Sequence, residues 1–167
     1  MEIEEYSIVV DEQDNVLEYK KRSELSTDDR IRIVIIWIED GNGNALIHRR
    51  SSKKKHGANM WENAAAGGVV KGESYEEAAY KELEEEIGLT GVDLVPVTTR
   101  ITETIWGDRM VGWFIGQTNI PVNLLTPEKD CVDEIKWVNK KELFEDRDKN
   151  PGIYMPSSIY WRELFSD

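Results

Sequence analysis

The apolar positions change their period along the chain, and each change marks an element. Tyr6, Ile8 and Val10 alternate ahead of the turn Asp11-Glu12-Gln13-Asp14-Asn15, so residues 5 to 21 read as an N-terminal hairpin. Ile31 to Ile38 is β-branched and almost continuously apolar, the pattern of a buried strand. Ala45 to Arg50 follows the turn Asp40-Gly41-Asn42-Gly43-Asn44 and completes a second hairpin. Further on, Val92 to Trp106 and Arg109 to Thr118 flank Gly107-Asp108, a two-residue connection suited to a tight turn. Ile135 to Val138 supplies one more short strand.

Between the second and third hairpins the period becomes helical. Ala78, Ala79, Leu83 and Ile87 recur at spacings of three and four and form an apolar stripe. Ser74 with Glu77 makes a capping box that predicts the start, and Gly88 can take the left-handed conformation that ends a helix. Asn139 with Glu142 predicts a second helix start, and Ser157 or Ser158 precedes a C-terminal helix over Ile159 to Phe165. Strands with few helices predict an α/β/α sandwich around a mixed sheet, as a single domain over residues 1–167.

The central helix carries the chemistry. Glu82, Glu85 and Glu86 are three and four residues apart and share one face. Clustered carboxylates repel one another unless cations or donors offset the charge. Mg²⁺ suits such a face, because it takes hard oxygen ligands and completes its octahedron with water and phosphate. Ala66, Gly67 and Gly68 allow close backbone approach to the helix, so the carbonyl of Gly67 or Ala66 is a further candidate ligand. Glu73 and Lys81 are placed to form a supporting ion pair.

Taken together, Gly67, Glu73, Lys81, Glu82, Leu83, Glu85, Glu86, Gly88 and Leu89 fall in one frame, residues 67–89. This frame resembles the Nudix box, G-x5-E-x7-R-E-U-x-E-E-x-G-U with U aliphatic, and departs from it at Lys81, where the family has arginine. Such a match arises by chance on the order of once in 10⁷ starting points. The resemblance implies a hydrolase of nucleoside diphosphate derivatives dependent on Mg²⁺ or Mn²⁺. It also implies that Glu85 and Glu86 are the principal metal ligands, and that Glu82 is a ligand, directly or through water, or a base. Further acidic candidates are Glu134, Asp130, Asp133 and Glu103. The run Trp61-Glu62-Asn63-Ala64-Ala65-Ala66-Gly67-Gly68 also resembles the isopentenyl-diphosphate isomerase branch of the family. That isomerase uses a cysteine shortly before its box and a histidine cluster, whereas Ala64 to Ala66 offer no thiol and only His48 and His56 exist here. The resemblance therefore implies a hydrolase of the isomerase-like branch. A noncatalytic nucleotide sensor is the alternative, favoured within the box by Lys81 alone.

Composition narrows the partners. With 167 residues and 40% hydrophobic content, the chain can bury a substantial core. A net charge of −12 argues against a nucleic-acid polymer as partner. The segment His48-Arg49-Arg50-Ser51-Ser52-Lys53-Lys54-Lys55-His56 is basic nonetheless and could attract a small-molecule diphosphate, with Arg49, Arg50, Lys55 and Trp61 as candidate substrate-binding residues. Trp61, Trp106 and Trp113 are candidate base-stacking surfaces, with packing as the plainer role. Trp37 and Trp137 read as core. Cys131 alone excludes an intramolecular disulfide and a cysteine-rich zinc site. The absence of a long apolar run and of a basic, signal-like start predicts a cytoplasmic protein without membrane attachment, as monomer or homodimer.

Overall fold

The computed structural model describes residues 3–167. Strands β1 (Tyr6–Val10) and β2 (Val16–Lys21) pair as the expected N-terminal hairpin, in a small sheet of their own. The main sheet holds β3 (Arg32–Glu39), β4 (Asn44–Arg50), β5 (Trp61–Glu62) and β6 (Ala65–Gly68). After helix α1 (Tyr75–Ile87) it gains β7 (Val95–Thr104), β8 (Gly107–Gln117) and β9 (Val132–Asn139). Helices α2 (Lys140–Lys149) and α3 (Trp161–Phe165) complete the chain.

β3 is the axis of the fold, buried on both faces because its side chains alternate between two apolar clusters. Val34, Ile36 and Ile38 pack with Ala78, Ala79, Leu83 and Ile87 of α1. Ile35 and Trp37 pack on the other face with Leu143 and Phe144 of α2 and with Trp161 and Phe165 of α3. Trp37 and Phe165 stack with centroids 4.6 Å apart. This is the α/β/α sandwich expected from the sequence. Truncating a buried indole such as Trp37 costs about 3–5 kcal/mol in comparable cores.

The second hairpin holds only near its turn. β3 and β4 pair at Ile38↔Leu46 and Glu39↔Ala45, and then diverge. Beyond that point β6 takes over as partner of β3, from Ile36↔Ala65 to Ile33↔Gly68, while β5 pairs with β4 at His48↔Glu62 and Arg49↔Trp61. The chain therefore steps from the β4 ladder to the β3 ladder at Asn63 and Ala64. β3 runs parallel to β8, and β4 has β9 on its far side.

Four boundaries differ from expectation, the simplest being β9, which starts at Val132 rather than Ile135. The third hairpin turns at Ile105 and Trp106, because Thr104 pairs with Gly107, so Gly107 (φ +99°) opens β8 rather than forming the turn. β7 begins at Val95, since Val92 and Leu94 leave the strand path to fill the core above Gly116. At the C-terminus Pro156 starts a 3₁₀ turn over Pro156–Tyr160, so Ser157 and Ser158 lie inside that turn and cap nothing. Ser158 instead accepts a hydrogen bond from Arg147 Nε at 3.1 Å.

Candidate active site

Local sequence fixes α1 at both ends. Ser74 Oγ accepts from the Glu77 amide at 3.1 Å and Glu77 Oε2 accepts from the Ser74 amide at 2.8 Å, which satisfies two amides that a helix start leaves open. Gly88, at φ +67°, ends the helix and donates to the Glu84 carbonyl at 2.9 Å. Ala78 and Ala79 are fully buried, and their small side chains let α1 lie close to β6 and β3.

That close approach brings the acidic face of α1 onto β6. The Glu82 carboxyl group occupies the space where a side chain at Gly67 would begin, so any Cβ there would overlap it. One turn on, Glu86 Oε2 accepts from the Ala66 amide at 3.3 Å. Glu85 is exposed. The loop between β6 and α1 is pinned by Glu73, which accepts from the Val70 amide at 3.1 Å and from Lys81 Nζ at 2.6 Å.

The two inner glutamates are short of positive charge. Burial, reinforced by the nearby Glu85 carboxylate, pushes the Glu82 pKa up to about 7. Burial, with Glu62 and Glu82 adding to it against the opposing pull of His48, pushes Glu86 up to about 8. Hard oxygen donors held in repulsion are the chemistry a divalent cation relieves. Glu82, Glu85 and Glu86, with the Ala66 or Gly67 carbonyl, fit such an ion. Among the described residues no three His, Cys, Asp or Glu side chains converge on one point as they stand. The donor set is thus an open face, of the kind that Mg²⁺ fills out with water and substrate oxygens.

Behind Glu86 lies an ion network in which His48 and Glu62, which sequence reading did not assign to the site, join Arg50, which it read as substrate-binding. His48 and Glu62 are register partners on β4 and β5, both almost wholly inaccessible to solvent. His48 Nε2 lies 2.9 Å from Glu62 Oε1, His48 Nδ1 lies 2.9 Å from the Ala64 carbonyl, and Arg50 Nη1 donates to the same Glu62 oxygen at 3.0 Å. Burial opposes the charged form of both partners, but their pairing outweighs it. His48 is held above its ordinary pKa and Glu62 below its own. The available signal was Glu62 itself, a lone carboxylate entering an otherwise small, apolar run.

The predicted substrate-binding residues are divided between the two faces of β4. Arg50 points inward to Glu62, donates to the His56 carbonyl at 2.9 and 3.2 Å, and lies 5.6 Å from the Trp106 ring. Arg49, its neighbour, turns to the other face, with Nε 3.5 Å from Glu134 and a nitrogen 3.9 Å from Asp133. Trp61 receives Arg49 at 5.9 Å and Lys136 Nζ at 4.1 Å over its ring. Lys55 is exposed in the loop that follows β4. Of the acidic candidates outside α1, Glu134 faces Arg49, Asp130 pairs with Lys53 at 2.5 Å, Asp133 accepts from the Ser52 amide at 3.2 Å, and Glu103 is exposed near the β7–β8 turn. Trp113 is fully buried with its N–H on Thr102 at 3.2 Å, so it is core and offers no stacking face. Trp106 keeps about a third of its surface in solvent, at the tip of that turn.

Relatives share this architecture. Residues 29–156 match the NUDIX domain family. An uncharacterised Nudix hydrolase of Yersinia pestis is 34% identical over 146 residues, covering 83% of this chain and 75% of that protein. Isopentenyl-diphosphate Delta-isomerase 2 of Photorhabdus laumondii is 28% identical, covering 98% of this chain and 92% of that protein. A crystal structure from Deinococcus radiodurans superposes with a TM-score of 0.79 at 18% identity, covering 96% of this chain and 99% of that one. With the box frame, the sandwich and the sequence match in agreement, this chain belongs to the Nudix family and is a Nudix hydrolase.

Proposed function

We propose that this Nudix hydrolase cleaves the diphosphate linkage of a nucleoside diphosphate derivative or a related small molecule, with Mg²⁺ or Mn²⁺ at the acidic face of α1. The observation that carries the reading is the pair Glu82 and Glu86, pressed against Gly67 and Ala66 with pKa values raised to about 7 and 8. A divalent cation bound there supplies charge neutralisation for the diphosphate and a more acidic water. Glu86, oriented by the Ala66 amide, and Glu85 offer ligand oxygens. Glu82, held against Gly67 on the same helix face, can take up the proton that an attacking water gives up. The Glu73–Lys81 pair keeps the Gly67 loop against the helix. Arg50, beside Glu62, brings a positive charge to this side of an acidic protein.

The test is a panel of nucleoside diphosphate derivatives incubated with Mg²⁺ or Mn²⁺ and scored for phosphate after coupled phosphatase treatment. Turnover of at least one compound is expected; binding without turnover across the panel would assign a sensor instead. The near full-length similarity to an isopentenyl-diphosphate isomerase favours isomerisation as a second reading. Against it, His48 is buried against Glu62, His56 lies edge-on to Trp106, and no thiol precedes the box. Incubation with isopentenyl diphosphate decides directly, and no isomerised product is expected.

A further inference from the structure

The main sheet has a seam where β3 and β4 part company, and the backbone that meets Glu82 and Glu86 lies beside it. Ala64 to Gly68 are laddered to β3 alone, through the Ala64 amide on the Ile36 carbonyl at 3.2 Å and the β6 pairing beyond. Trp61 and Glu62 are laddered to β4 and not to β3, with Trp61 also bridged to Tyr154 through its carbonyl, which accepts from the Met155 amide at 2.9 Å. No backbone pairing joins β4 to β6 among the described residues. His48 spans the gap. From β4 its Nδ1 reaches the Ala64 carbonyl, and its Nε2 reaches Glu62 on the strand that leads into the seam.

The protonation state follows from these partners. A carbonyl oxygen can only accept, so Nδ1 must carry a proton. The Glu62 oxygen also accepts from Arg50, as an ionised carboxylate does, so Nε2 must donate as well. Both ring nitrogens are therefore donors, and His48 is an imidazolium. Two cations face one carboxylate, and Glu86 approaches from α1 on the same side of the sheet.

We propose that His48 is a positioning residue of the hydrolytic site: as a buried imidazolium it locks the Ala64 carbonyl to β4, so that the Ala66 amide and Gly67 meet Glu86 and Glu82 in a metal-ready arrangement. This rests on the hydrolase reading above, since it assigns a role toward the same metal face. It requires no contact between His48 and the cation or substrate. Supporting groups around a metal site typically change affinity by about 10–100-fold when lost.

Two near-isosteres separate the contacts. The Asn side-chain amide falls near Nδ1 and preserves a donor toward Ala64, whereas the Gln amide falls near Nε2 and preserves only the link to Glu62. Mn²⁺ binding to the intact protein, read by electron paramagnetic resonance without substrate, should weaken about tenfold or more in His48→Gln. His48→Asn should stay within about threefold of wild type, with circular dichroism showing both variants folded. Equal Mn²⁺ affinity in His48→Gln and wild type would overturn the proposal and leave the hydrolase reading intact. The proposal falls equally if His48→Asn loses as much affinity as His48→Gln. Absence of Mn²⁺ binding by wild type would remove the reading and the proposal together. On the unmodified protein at pH 7, ¹⁵N NMR should show both His48 ring nitrogens protonated; a neutral ring would refute the imidazolium whatever the variants do.

Discussion

Glu62 and Glu86 are two inward-facing carboxylates on opposite sides of one seam, and their pKa values are displaced in opposite directions. Glu62 sits between His48 and Arg50 and is held below the ordinary range. Glu86 has one backbone amide at 3.3 Å, faces Glu62 and Glu82, and is pushed up to about 8. Burial is common to both, so the difference lies in the partners. The Glu62 network is complete within the protein and acts as structure. The Glu86 face has no such partner within the protein, and on the proposed function a divalent cation supplies the missing charge.

The contrast can be broken most sharply at Glu86. Glu86→Gln should lower turnover by at least about 10²-fold, the upper end of what outer supporting groups cost, because it removes a ligand charge itself. The same variant should be no less stable than wild type at pH 9 without metal, since it relieves repulsion. A gain of about 1 kcal/mol would raise the melting temperature by roughly 2–4 °C. Glu62→Ala should do the reverse in thermal melts. Leaving the buried His48 and the half-buried Arg50 without their anion costs about 3–5 kcal/mol, and a melting temperature within a degree of wild type would contradict the network.

The pH dependence separates the regions again. Glu82 and Glu86 titrate higher in the folded chain than their ordinary 4.5, so their contribution to stability is whole below about pH 4.5 and is lost as pH rises through about 7 and 8. Glu62 is shifted down, so its contribution is present above 4.5 and is lost as pH falls through its lowered value. His48 is shifted up, so its share is present below 6.5 and is lost as pH rises through its raised value. Metal-free melts should therefore decline from pH 6 to pH 9, and Mg²⁺ should restore most at the alkaline end. Equal Mg²⁺ stabilisation at pH 6 and pH 9 would argue against cation binding at these glutamates. The smallest expected effect is at Lys81. Its ammonium makes a point contact with Glu73, and Lys81→Arg should add a bidentate grip, changing stability by no more than about 1 kcal/mol and preserving or raising turnover. A sharp loss of activity would show that the pair has another role.

Much of this was legible in the chain because the signals were local. The Ser74–Glu77 capping box, the Gly88 stop, the Ala78–Ile87 stripe and the β-branched run of β3 each act within a few residues, and each lies where the sequence placed it. The acidic face of α1 follows from helical spacing alone. What escaped the sequence was non-local. The divergence of β3 from β4 is set by β5 and β6 inserting from downstream, and that insertion brings His48 to Glu62, 14 positions away. Neighbouring Arg49 and Arg50 look equivalent in the basic run, yet strand alternation sends one to Glu134 and the other to Glu62. The shifted turn at Ile105 and Trp106 depends on a register that Gly107 alone does not reveal, since a glycine with positive φ can stand in a turn or just after it.

The most direct measurement is calorimetric titration of the metal-free protein with Mg²⁺ at pH 7, repeated in buffers of different ionisation enthalpy so that proton release is counted with binding. Carboxyl groups still partly protonated at neutrality must release protons when a cation takes their place. Binding accompanied by proton release, both lost in Glu86→Gln, is the expected result. No Mg²⁺ uptake, or uptake that Glu86→Gln leaves unchanged, would contradict a metal site on this helix face.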